Sequence, residues 1–111
     1  MQKDVFRAIA DPTRREIISI LTTSDLSMND IAARFAMSRP AVAKHIKILT
    51  ESGLILVVQQ GRERICVLQA EPLHDVHQWV QQYEAFWQKK LQNLATFLEQ
   101  TSVSHKKSPL Q

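Results

Sequence analysis

Gly53 divides this chain by period. Before it, apolar residues recur with helical spacing. After it they run Leu54-Ile55-Leu56-Val57-Val58, a short stretch rich in β-branched side chains. That change from a period of 3.6 to a short extended run predicts helices first and a β-hairpin after them. Gln60-Gly61-Arg62-Glu63 supplies the glycine-containing turn, and Arg64-Ile65-Cys66-Val67-Leu68 the returning strand. A chain of 111 residues has room for one domain. The hairpin must therefore pack on the helices that precede it.

Those helices have readable ends. Val5, Phe6 and Ile9 mark a short first helix. Asp11-Pro12 then opens a second, with Asp11 as cap and Pro12 where a missing N–H costs nothing. Ile17, Ile18, Ile20 and Leu21 form its apolar side, and Thr22 to Asp25 reads as a turn. Ser27 caps a third helix, with Asp30 completing an acidic variant of the capping box and Ile31, Ala32 and Phe35 facing inward. Ala36-Met37 is a short connection. Ser38 opens a fourth helix, with Pro40 in its first turn. Val42, Ile46 and Leu49 face the core, and Gly53 is its left-handed cap.

The fourth helix carries the functional signal. Its outer positions are Arg39, Pro40, Ala43, Lys44 and Lys47, and no acidic residue falls between Ser38 and Thr50. A solvated helix face usually mixes signs. One without acids, with small residues near its N-terminus, suits close approach to the major groove of DNA. Arg39 and Lys44 are candidates for base edges and Lys47 for phosphate. Ser38 either caps the helix or contacts a phosphate; His45 either packs at the edge of the core or touches DNA. Arg62 and Arg64 on the following hairpin suit phosphate or the minor groove. Charge agrees: residues 1–70 hold ten Lys/Arg against seven Asp/Glu, and residues 71–111 four against four, so the excess of +3 lies in the first part.

Phe6-Arg7-Ala8-Ile9-Ala10-Asp11-Pro12-Thr13-Arg14-Arg15-Glu16-Ile17 resembles the N-terminal signature of the ArsR family of winged helix-turn-helix repressors. The run from Ser38 to Leu49 resembles that family's recognition helix, and Leu54-Ile55 and Gly61-Arg62 its wing. The resemblance covers about residues 4–100. It implies a mainly α fold with a small β-hairpin, a winged helix-turn-helix with a long C-terminal helix for dimerisation. It also implies a homodimer that binds double-stranded operator DNA and represses transcription, often of its own operon. In that family the positions matching Pro40, Ala43 and Lys44 point at bases.

Many such proteins sense metals, and the ligand positions can be checked. A Cys-x-Cys pair in the third helix would fall on Ser27 and Asn29, neither of which offers a soft thiolate. A second pattern places Asp-x-His on the last helix, with partners 11 and 14 residues past that His. Asp75-Val76-His77 fits its start, but the partners would be Gln88 and Leu91, and alignment through Leu68-Gln69 puts the first ligand near Ala70 instead. His74 and His77 remain a pair with metal-binding spacing, read more simply as solvated or interface histidines. No metal or other cofactor is expected, and the sequence names no inducer.

The pattern from Glu71-Pro72 to about Gln100 reads as one long helix. Leu73, Val76, Val80, Tyr83, Trp87, Leu91, Leu94 and Leu98 step by threes and fours, and Trp79, Phe86 and Phe97 widen the stripe. A surface helix needs one apolar face about 100° wide. This broader one predicts burial against a second subunit as well, with Val5, Phe6, Ile9, Val76, Trp79, Val80, Tyr83, Phe86, Trp87, Leu91 and Leu94 as the dimer surface. The same aromatics would also suit a small apolar ligand, an alternative to interface packing. Tyr83-Glu84-Ala85-Phe86-Trp87 with Leu91 and Leu94 resembles a metal-free branch of the family. Residues 1–100 are thus expected to form the DNA-binding and dimerisation domain, and 101–111 a flexible tail.

Other functions fit less well. No Gly-rich phosphate loop, nucleophile elbow or metal-ligand set points to an enzyme. Nonspecific architectural proteins are usually more basic than +3. A winged helix kept only for protein contacts would have no reason for an acid-free outer face. The lone Cys66 reads as core, the N-terminus shows no signal-peptide core, and no apolar run approaches the roughly 20 residues of a membrane span, so a cytoplasmic protein is expected.

Overall fold

The computed structural model describes residues 4–105, with side chains through residue 101. Its elements are α1 (Val5–Ala8), α2 (Pro12–Leu21), β1 (Leu26–Ser27), α3 (Met28–Phe35), α4 (Arg39–Glu51), β2 (Ile55–Gln60), β3 (Glu63–Leu68), α5 (Leu73–Gln81) and α6 (Glu84–His105). The contacts divide after Val76 into two compact units.

The first unit is the helical domain with its hairpin. Every expected N-cap is made by the side chain named for it. The Asp11 carboxylate accepts from the Arg14 amide at 3.0 Å, Ser27 Oγ from Asp30 at 3.0 Å and Ser38 Oγ from Ala41 at 3.2 Å. Each satisfies an amide that the helix itself leaves unpaired. Gly53, at φ 81°, closes α4 with a paired cap: its own N–H reaches Thr50 O, and the Leu54 N–H reaches Leu49 O. Ala36 does the same for α3 at φ 51°, with bonds to Ala33 O and from Met37 to Ala32 O. It is the one left-handed non-glycine among the described residues.

Ile17, Ile31, Val42, Leu49, Leu54 and Cys66 have essentially no solvent exposure. They come from α2, α3, α4, the α4–β2 junction and β3, so one core joins the helices to the hairpin. The hairpin pairs Ile55 with Leu68 through to Gln60 with Glu63, leaving Gly61-Arg62 as its two-residue turn. The sheet has a third strand that the sequence does not announce. Leu26 and Ser27 pair with Cys66 and Ile65, giving the order β1-β3-β2. Two residues are too few to show alternation, which hides β1 in the sequence.

The single helix expected over 71–100 is two, α5 and α6, parted at Gln82-Tyr83. There the amides of Gln82 and Tyr83 bond three residues back, to Trp79 and Val80, in tightened turns. No proline or glycine marks the break, so periodicity runs straight through it. In the second unit the Trp79 and Tyr83 rings meet edge to face at 5.5 Å, as do Phe86 and Trp87 at 5.9 Å. α6 continues through His105; the rest of the tail expected over 101–111 lies outside the described residues. No helix among the described residues is long and apolar enough to cross a membrane.

Candidate nucleic-acid interface

The fold places α4 with Val42, Ile46 and Leu49 buried, which turns Arg39, Pro40, Ala43, Lys44 and Lys47 to solvent. Ser38 is committed as the cap of that helix, so the capping reading of its hydroxyl stands. The hairpin then brings Arg62 and Arg64 to the same side. Arg39, Pro40 and Ala43 from α4, Arg62, Glu63 and Arg64 from the hairpin, and Ser27, Met28 and Asn29 at the start of α3 line one cleft of about 360 Å³. A second recess runs beside it between α4 and β2, bordered by Ile46, Lys47, Thr50, Glu51, Leu56 and Val57 and sharing Met28, Ala43 and Arg64 with the first. Arg64 therefore stands where the two meet.

Three guanidiniums in one cleft, against the single carboxylate of Glu63, make a site for anionic groups. The N-terminal amides of α3 add to that field. Met28 and Asn29 were not foreseen as part of it; only folding α3 against the hairpin brings them there, and no local pattern in the sequence signals the contact. Lys44 lies on the outer face without lining the cleft. His45 lies on the other flank, roughly 160° around the helix from Ala43 and Lys47 at about 100° per residue. Its ring meets Asp11 and Arg14 of the α2 N-terminus.

Of the positions weighed as metal ligands, Ser27 has another use. Ser27 is buried, caps α3 and pairs with β3. His74 and Asp75 border a shallow recess with Gly53, Gln69, Glu71 and Pro72, and His77 belongs to the second unit. Among the described residues no three His, Cys, Asp or Glu side chains gather as a metal site would require. Burial pushes the Cys66 thiol up to about 11, as its place in the core predicts.

Residues 11–56 match the family model described as bacterial regulatory protein, arsR family. The transcriptional repressor SdpR of Bacillus subtilis is 35% identical over 77 residues, which cover 69% of this chain and 86% of that protein. The chain belongs to the ArsR family of bacterial regulatory proteins. A solved ArsR-like transcriptional regulator from a Rhodococcus species is 32% identical, covers 85% of this chain and 89% of its own, and superposes with a TM-score of 0.63. The homodimeric winged helix-turn-helix DNA-binding domain of a Mycobacterium bovis protein, at 19% identity, covers 73% of this chain and 78% of its own with a TM-score of 0.61, and shows the fold alone. In the ArsR frame α3 and α4 are the helix-turn-helix and the β2–β3 hairpin is the wing. The family and these similar proteins are transcriptional regulators, not enzymes.

Proposed function

We propose that this ArsR-family chain is a homodimeric repressor that binds an inverted-repeat operator, with α4 in the major groove and the wing, residues 54–69, on the adjoining backbone or minor groove. The observation that carries this reading is the cleft where Arg39 of α4 meets Arg62 and Arg64 of the wing. A DNA strand lying between the two grooves would run along such a cleft, its phosphates facing Arg62 and Arg64 of the wing while Arg39 reaches toward the base edges. Arg39, Pro40, Ala43, Lys44 and Lys47 of α4, with Ser38 at its cap, make up the helix side of this surface.

The second unit supports the homodimer. Trp79, Val80, Tyr83, Phe86, Trp87, Leu91 and Leu94 are each between 43% and 60% exposed. So much aromatic surface open to water is what an unpaired interface looks like. The Mycobacterium bovis neighbour is itself a homodimer. In α1, Phe6 is exposed, Ile9 half-buried and Val5 already buried in the core, so Phe6 would carry that part of the contact. Two-fold symmetry sets half-sites about one DNA turn apart, roughly 34 Å or a multiple. Repression of its own gene follows the family habit.

The test is a footprint of the purified protein on the DNA upstream of its own gene, at two salt concentrations. A protected inverted repeat that survives physiological salt is the expected result. Diffuse protection that disappears as salt rises would leave only charge-driven binding and overturn the repressor reading.

A further inference from the structure

Helix α1 has four residues, too few to persist alone. Its last carbonyls are held from α2. Arg14 Nε donates to Ala8 O at 2.7 Å and Nη2 to Arg7 O at 3.3 Å, while Arg15 Nη1 donates to Ile9 O at 2.8 Å. The third arm of the same Arg14 guanidinium, Nη1, lies 3.4 Å from Nδ1 of His45 on α4. One rigid, planar group thus touches α1 and the recognition helix at once, from a backbone position fixed by the Asp11 cap. The His45 side chain is about one-fifth exposed, so the contact is shielded but not sealed.

The chemistry of this contact is directional. A guanidinium nitrogen carries only hydrogens to donate, so a hydrogen bond across this 3.4 Å requires Nδ1 to present its lone pair, with the ring proton on Nε2. The Asp11 carboxylate, 3.9 Å from the same Nδ1, is beyond hydrogen-bond reach and accepts the Arg14 amide instead.

We infer that Arg14 is a positioning residue that ties the pose of the recognition helix to α1, acting through the lone pair of His45. His45 then serves DNA binding from the flank turned away from the wing, and not by contact with a base. The consequence is that a change at α1, which carries the exposed Phe6, reaches α4 through the Arg14 side chain as well as through the core they share. This rests on the operator-binding reading above.

The experiment compares Arg14→Lys, His45→Leu, His45→Asn and the double variant Arg14→Lys/His45→Leu. A lysine keeps the charge but cannot bond Arg7, Ala8 and His45 together, and asparagine keeps an acceptor near the place of Nδ1. Two readouts are taken on folded protein, well below its unfolding temperature. Nitrogen NMR of the free protein should find the His45 proton on Nε2 in the parent chain, with that bias lost in Arg14→Lys. Titration of the duplex upstream of the protein's own gene, against a random duplex of equal length, should show about a tenfold loss of specific affinity in Arg14→Lys and in His45→Leu. The double variant should lose no more than either, His45→Asn should stay close to the parent, and random-duplex binding should not move. A parent ring protonated on Nδ1, or losses that add in the double variant, would overturn the inference. If the parent chain fails to prefer its upstream duplex, the repressor reading falls, and the ring tautomer in the free protein still decides whether Arg14 sets His45.

Discussion

Arg64 borders both recesses between α4 and the wing, whereas Arg62 borders one and Lys44 neither. Replacing Arg64 with alanine should weaken binding across sequences and reduce the slope of log affinity against log salt by about one. Arg39→Ala/Lys44→Ala should instead abolish preference for the operator while leaving the dimer intact, as seen by sedimentation. Asp11 makes a different prediction. The Arg14 amide that it caps holds its carboxyl below the ordinary 3.8, so the charged form is favoured by folding. The stability it adds is complete above that ordinary value and is lost as pH falls through the lower folded value. Asp11→Ala should therefore cost about 1 kcal/mol at neutral pH, and the gap from the parent should close in urea titrations taken well below pH 3.8. Cys66, with its thiol raised to about 11 and buried, should resist alkylation at pH 8 until the chain unfolds.

Among the elements, the turn between α3 and α4 is the place where the backbone is strained. Ala36 sits at φ 51° in a cap that glycine normally fills, and it is exposed. Ala36→Gly should raise stability by about 1 kcal/mol, read as an increase in Tm, with operator affinity unchanged. At the wing tip Gly61 has φ 63° and open space around it, so Gly61→Ala should cost about as much for backbone reasons alone. Elements defined by local chemistry were legible in the sequence. Asp11, Ser27, Ser38 and Gly53 announce their ends, and Val42, Ile46 and Leu49 announce a face. Features that exist only between distant segments were not. β1 is visible only once Leu26 finds Cys66, and the arginine cleft only once Asn29 and Arg62 are neighbours. The break at Gln82-Tyr83 left no trace, because neither glycine nor proline stands there.

At the scale of the whole molecule, the two units divide the work. The first holds the core and the arginine cleft; the second holds a helix with Phe86, Trp87, Leu91, Leu94, Phe97 and Leu98 spread over roughly 140° at about 100° per residue. Leu91→Glu/Leu94→Glu should give a monomer by sedimentation, with the unfolding of the first unit little changed and operator affinity lost, because each half-site alone binds weakly. Helix α4 has a further consequence. Its buried side is occupied by Val42, Ile46 and Leu49, while Arg39, Ala43, Lys44 and Lys47 are exposed. Exposed substitutions of this kind usually shift stability by less than about 0.5 kcal/mol. A duplicated copy of the gene is therefore free to change those residues, and with them the DNA word that the proposed interface reads, without first having to become a more stable protein. New regulatory circuits can arise from this scaffold by drift across four surface positions.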